Sequence, residues 1–351
     1  MWADRRDAQG LLPKLLRRLI YFTGEEIKRI DFPSDEAVQL GGWDGILEVE
    51  TGNAFIPDGL SAWELGVNRD VKGKADGDYE KRRDNPLRLN PAETTFVFVT
   101  LRRWGGKTDW IANRKAEGIW RDVRAYDADD IETWLEQAPS VHIWLSILLG
   151  KHPEGAVDIT NFWQDWSEAT TPPISPELVI SGRTKETESI YSWLREPPSS
   201  ISLQAESREE ALAFFTAALY QLPPDEREIF LTRTIVIKDP TTWHQLVVST
   251  PALLLVPMFD EPDAITRALR QGHQVFIPLG KGTARSEGTV PIPRLQRSEA
   301  KNGLLALGFS EDRADDLATL ARRSFMAFRR KIAMNPEVQL PKWADPKEAR
   351  A

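Results

Sequence analysis

The stretch "GGWDGILEVETGNAFIPDGLSAWELGVNRDVKGKADGDYEKR" (41–82) decides how the first part of the chain folds. Within "GWDGILEVE" (42–50), Gly45, Leu47 and Val49 share one face, while Asp44, Ile46, Glu48 and Glu50 share the other. This alternation predicts a half-buried strand with an acidic face. "GNAFIPDGLS" (52–61) supplies Gly, Asn, Pro and Asp, the residues of a turn. "SAWELGV" (61–67) alternates again, with Trp63, Leu65 and Val67 toward a core and Ala62, Glu64 and Gly66 away from it. A polar helix is predicted over "KADGDYEKRR" (74–83).

Two neighbouring strands that each present one carboxylate, here Asp44 and Glu64, are a compact way to hold a divalent cation. Such a cation relieves charge on a phosphodiester and activates a water, so this pattern suits phosphodiester hydrolysis. Glu48 and Glu50 add acids to the Asp44 face, and Glu50 is a third candidate ligand. Lys72 and Lys74 follow Glu64 closely enough to orient the water. On pattern alone, exposed polar positions on an edge sheet account for the same residues, and that reading stays open.

Working outward, "LLPKLLRRLIYF" (11–22) has the apolar spacing of an amphipathic helix. "TTFVFVTLRRW" (94–104) predicts a buried strand. "DVRAYDADDIETWLEQ" (122–137) predicts a short strand, an Asp-rich N-cap and a helix. "VHIWLSILLG" (141–150) predicts a helix closed by glycine. Eight of the 13 tryptophans lie in the first 150 residues, and they read as core and groove walls rather than a base-stacking platform.

Composition narrows the chemistry. The 351 residues contain no cysteine, which excludes disulfides, thiolate zinc sites and cysteine nucleophiles. The four histidines (His142, His152, His244, His273) show no metal-ligand spacing, so carboxylates must hold any metal, which favours Mg2+ or Mn2+. The net charge of -8 argues against a uniformly basic coat, yet 14 Lys/Arg face nine Asp/Glu between Arg69 and Arg124. That local excess suits a phosphate-binding groove, and equally a solvated helix face of mixed charge. No apolar stretch approaches the length of a membrane span, and no signal core opens the chain, so a cytoplasmic location is expected.

Residues 41–82 resemble the core of restriction-endonuclease-like, PD-(D/E)xK, nuclease domains at the N-terminus of large bacterial antiviral proteins. The matching residues are Trp43, Asp44, Gly45, Trp63, Glu64, Gly66, Lys74, Ala75, Asp78, Tyr79, Lys81 and Arg82. The segments "FVFVTLRRWGGKTDW" and "VRAYDADDIETWLEQAPSVHIWLSILLGK" extend the likeness over about residues 10–151. The resemblance implies a mixed sheet flanked by helices, with Asp44 and Glu64 holding Mg2+ (or Mn2+). It also implies double-stranded DNA as partner, met by Lys81, Arg82, Arg83, Arg102 and Arg103. The family pattern is Glu-x-Lys, but Gly66 stands where the lysine should be. A lysine moved to the following helix restores the set, with Lys74 the first choice and Lys72 the second. If neither reaches the site, the domain is a weak or inactive nuclease that only binds DNA.

Residues 152–176, with "EGAVD" and "TTPPISP", read as a linker carrying one docked aromatic segment. From 177 to 297, strands and helices alternate ("ELVISGR", "SISLQ", "REEALAFFTAAL", "TIVIK", "PALLLVPMFDE", "QVFIPLG"), which predicts an α/β domain with a mainly parallel sheet. A helical subdomain follows over 298–335, then a Pro-rich charged tail over 336–351. This order resembles the nucleotide-binding module of STAND-type switch ATPases. A working P-loop needs glycines, a lysine and a Ser/Thr. The corresponding "QAESREEA" (204–211) has no glycine and no lysine, while Glu206, Glu209 and Glu210 repel phosphate. Asp260 and Glu261 are similar to the second acidic motif but read better as a cap or loop pair, and "GKGT" (280–283) is no substitute loop. No nucleotide cofactor is therefore expected. Arg322, Arg323, Arg329, Arg330 and Lys331 read as a basic face of a late helix.

The expectation is a Mg2+-dependent DNA endonuclease joined to a degenerate P-loop-like regulatory domain. A homo-oligomer or a separate sensor protein is the expected partner beside DNA. The alternatives are a catalytically inactive DNA-binding module and a regulatory interaction protein.

Overall fold

The computed structural model describes residues 8–33, 42–248, 252–260, 262–283, 288–334 and 336–339. The chain divides into two compact units, Met1–Lys151 and His152–Ala351. Each is an α/β unit, a sheet with helices around it.

The first unit opens with helix α1 (Ala8–Thr23), whose Leu12, Leu15, Leu16 and Leu19 are fully buried. Strands β1 (Ile27–Asp31), β2 (Gly45–Val49) and β3 (Gly59–Gly66) form an antiparallel meander. Helix α2 (Val71–Asp84) then crosses to β4 (Thr95–Thr100), and α3 (Lys107–Ala116) crosses to β5 (Asp122–Tyr126). Both crossovers make parallel pairs, giving a mixed sheet in the order β1-β2-β3-β4-β5. β4 has parallel neighbours on both sides and is buried along its whole length, as its unbroken apolar run requires.

One face of this sheet packs on α2 and α3 through Phe96, Phe98, Tyr79, Ala75 and Trp110. On the opposite face Trp63, Tyr126 and Phe55 meet Trp134 of helix α4 (Ala128–Glu136), which α5 (Pro139–Leu148) follows. Asp127 and Asp130 close a capping box at the start of α4, so the Asp-rich run is a helix start. Of the described tryptophans in this unit, Trp63, Trp110, Trp120, Trp134 and Trp144 are buried, and Trp43 and Trp104 are half-buried against that core.

The second unit begins where a linker was expected. β6 (Ala156–Asp158) pairs antiparallel with β8, the strand Thr234–Ile237, and α6 (Ile159–Glu168) buries Trp163 and Trp166 in the core. Thr170 also bridges to Ala333, tying this segment to the end of the chain's helical region. Prolines and small polar residues marked loops correctly but gave no view of these long-range partners. "ELVISGR" is not a strand either: Pro176 starts helix α7 (Pro176–Ile180) under a Ser175 cap. After α8 (Thr184–Leu194), the chain runs through β7 (Ser200–Gln204), α9 (Arg208–Tyr220), α10 (Pro224–Arg233) and β8. It continues through α11 (Pro240–Val247), β9 (Leu254–Pro257), α12 (Pro262–Arg270), β10 (Gln274–Leu279) and β11 (Val290–Pro291).

The second sheet has the order β11-β7-β10-β9-β8-β6 and is parallel except for β6. The connection that leaves β7 runs toward β8, whereas the one that leaves its neighbour β10 runs the opposite way to β11, so the connections change direction between β7 and β10. Helices α13 (Arg297–Ala306), α14 (Glu311–Arg323), α15 (Phe325–Ile332) and α16 (Pro336–Gln339) complete the unit. The basic run is split at Ser324 between α14 and α15, and Arg329 turns inward onto the Trp166 ring and carbonyl. Among the described residues, no helix is long and apolar enough to cross a membrane.

Candidate functional site

Asp44 and Glu64 meet through sheet register. The last registered pair between β2 and β3 is Gly45↔Trp63, which puts Asp44 opposite Glu64 one step further on. An Asp44 carboxylate oxygen accepts from the backbone N–H of Leu65 at 2.8 Å, fixing that side chain at the end of β3. Glu64 lies across β4 from Phe98, on the face that α2 covers.

The expectation that Glu64 faces away from the core is corrected by that helix. Glu64 is only 2% exposed, because both faces of β3 are covered. α2 brings a ladder of charges over it at four-residue spacing, Lys74, Asp78 and Arg82. Lys74 donates to Asp78 at 2.8 Å. Arg82 is equally buried; its guanidinium donates to Glu64 and to the Gly42 carbonyl and lies over the Trp43 ring at 4.7 Å. Burial pushes the Glu64 carboxyl up to about 8; the Asp44 charge adds to this, and the Arg82 contact offsets part of it. Burial also raises Asp78, against the pull of Lys74.

Gly66 answers the question of the missing lysine. A Cβ at position 66 would stand 3.0 Å from Cγ of Lys74 and 3.1 Å from Cζ of Phe98. The stem of Lys74 therefore passes through the space beside Gly66, and the glycine is what admits it. The resemblance ranked Lys74 first without this contact in view.

The remaining expected site residues fall elsewhere. Lys72 points to solvent and pairs with Asp76 at 2.6 Å, away from Glu64. Two positions along a helix differ by more than half a turn, so Lys72 and Lys74 cannot serve one site. Glu50 is at the far end of β2, about 20 Å from Asp44 along the strand, and pairs with Lys28. Arg82 is sealed inside, so it cannot track a phosphate backbone. Arg83 pairs with Asp84 and Arg103 with Asp129, both in solvent. Arg102 donates to the Val67 carbonyl, and Lys81 is exposed on α2. Asp78 and the pairing role of Arg82 were missed, although the four-residue spacing from Lys74 was readable.

The donor chemistry fits a hard cation, since Asp44 and Glu64 offer carboxylate oxygens from adjacent strands. Among the described residues, however, no group of three or more acidic or histidine side chains is placed to hold a metal ion. The guanidinium of Arg82 is the charge that now faces Glu64.

In the second unit only residues 205–207 separate β7 from α9, too short a turn to wrap phosphates. Two of its three amides are taken: Ala205 N–H donates to the Leu279 carbonyl and Glu206 N–H to the Glu210 carboxylate. Asp260 pairs with Arg208, and Glu261 lies outside the described residues, as do residues 340–351 of the charged tail. Compared with known proteins, the chain matches no family model, and no curated sequence is significantly similar to it.

Proposed function

We propose that the first unit is a metal-dependent DNA endonuclease of the restriction-endonuclease-like, PD-(D/E)xK, class. In this reading the second unit is a P-loop-like regulatory module of the STAND type that no longer hydrolyses nucleotide. The protein then acts in the cytoplasm in bacterial antiviral defence. The observation that carries the reading is the meeting of Asp44 and Glu64 in register, with Lys74 filling the space that Gly66 leaves. Asp44 and Glu64 would hold Mg2+ or Mn2+, which supplies charge neutralisation at the phosphate and an activated water. Lys74 orients that water, and Asp78 holds Lys74 in place. Lys81 and the exposed arginines Arg83 and Arg103 meet the phosphate backbone. Arg82 pairs with Glu64, and that pairing would have to open for Glu64 to hold a cation.

A second reading rests on the burial of Glu64 under Arg82. If the guanidinium never yields to a cation, the unit is a non-catalytic DNA-binding domain. Plasmid nicking with Mg2+ or Mn2+ separates the two. Cleavage that needs metal and is lost in both Asp44→Ala and Glu64→Ala supports the endonuclease. DNA binding without metal-dependent nicking in the wild type replaces it by the second reading.

A further inference from the structure

A cavity of about 180 Å³ opens in the second unit at the carboxyl ends of β7, β10 and β11. Parallel α/β sheets bind ligands at such a place, where the strand connections change direction. Gln204 and Glu206 follow β7, Lys281 follows β10, Arg294 follows β11, and Arg322 and Phe325 come from α14 and α15.

The charges on its wall sort themselves into pairs and a remainder. Arg183, 2% exposed, faces the buried Glu210 at 3.7 Å and donates to the Pro293 and Val179 carbonyls. Glu206 accepts from Lys281 Nζ at 3.2 Å and from Ser324 Oγ at 2.6 Å. Those two acids thus cancel two of the four cations that line the cavity. Arg294 and Arg322 remain, exposed at the rim and without a carboxylate among the described residues. Among the described residues, the lining carries two positive charges without a carboxylate partner, beside the apolar surface of Phe325 and Pro293.

We infer that this cavity is a receptor site for a small dianion, a phosphate monoester or a dicarboxylate, bound between Arg294 and Arg322. A guanidinium pair suits planar or tetrahedral oxyanions because each offers a fork of donors. Size sets the upper limit. The space falls below the roughly 300–1,000 Å³ of pockets that enclose drug-sized ligands. A nucleoside triphosphate is disfavoured on a second ground, since Glu206 in the turn after β7 and Glu210 in the first turn of α9 both line the cavity. Because Ser324 caps α15 and touches Glu206, the bound anion would also sit against the joint between the sheet and its helical tail.

The site does not depend on the nuclease reading, and its test leaves the first unit alone. Full-length protein is titrated calorimetrically with inorganic phosphate and with succinate against chloride at matched ionic strength. Saturable one-site binding of either is expected. Phosphate alone identifies a phosphate-ester ligand, and succinate alone identifies a dicarboxylate. The Arg294→Ala/Arg322→Ala double variant should bind at least about tenfold more weakly. Arg323→Ala, a neighbour on α14 outside the cavity, should bind as the wild type does. The inference fails if neither anion binds beyond chloride, if Arg323→Ala loses as much affinity as the double variant, or if ATP binds as tightly as the small anions.

Discussion

Glu64 in the first unit and Glu210 in the second are both buried acids, and each faces a buried arginine, Arg82 and Arg183. Burial raises the carboxyl in both cases. The surroundings then diverge. Near Glu64 stand two further acids, Asp44 and Asp78, with Lys74 and Lys81 acting on Asp78. Near Glu210 one further acid, Glu206, meets Lys281, and two arginines are left over. In the two proposed sites the same device, a carboxylate sealed beneath a guanidinium, would serve a cation in one unit and an anion in the other.

The largest test of that contrast is removal of the two arginines. Arg82→Ala leaves a buried carboxylate without its partner and should cost the first unit about 3–5 kcal/mol in urea unfolding. Mn2+ should restore part of that loss, and it should restore nothing in Arg183→Ala. Equal rescue of both variants, or of neither, would break the comparison.

Gly66→Ala probes the space beside Lys74. Lys74 can shift its stem, but Phe98 is fully buried and cannot, so a cost of about 1–3 kcal/mol is expected. The variant should also lose nicking more than it loses stability. If both stay at wild-type levels, Lys74 does not depend on the glycine.

On the other side of the comparison, Ser324→Ala removes the α15 cap and one hydrogen bond to Glu206. A loss of about 1 kcal/mol, confined to the second unit and visible as faster amide exchange in α15, should follow. Uniform exchange would mean that Glu206 does not hold the helical tail.

The smallest effect concerns an ion cluster on the first unit's surface. Burial pushes the Asp76 carboxyl up, but hydrogen bonds from Lys72, Arg114 and Trp110 more than reverse this and take it down to about 2. Its contribution is therefore complete above its ordinary unfolded value near 3.8 and fades as pH falls toward 2. Tryptophan fluorescence should show wild type more stable than Asp76→Asn at about pH 5, with the gap closing by about pH 2. A gap that widens in acid would reverse the assignment.

Much of the fold was readable because it is written locally. The apolar run of β4, the positions of β2 and β3 as strands, and Asp127 with Asp130 at a helix start each need only near neighbours. The two faces of β3, however, were misread: Ala62, Glu64 and Gly66 are buried and Leu65 and Val67 half-buried. The failures share one cause. β6 and α6 looked like a linker because their partners, β8 and the end of α15, lie far along the chain. α7 looked like a strand because a run so short carries no clear period, and the Ser175–Pro176 start signal was outweighed. In the candidate site, Asp44, Glu64 and Lys74 come close together, whereas Glu50 and Lys72, expected with them, do not. Sequence distance does not tell which end of a strand or which side of a helix faces the site.

By itself, then, the sequence determined the inventory: an acid on each of two neighbouring strands, a glycine two residues after Glu64, and a turn after β7 with neither glycine nor lysine to cradle phosphate. Those are properties of residue type and spacing. Only the tertiary structure decided that Arg82 rather than a solvent-facing Lys72 would meet the acids, and that Arg294 and Arg322 would stand unpaired beside Glu206. The reason is that charge pairing depends on distance and burial. Both are set when a helix is laid over a sheet, by packing among residues that the chain keeps far apart.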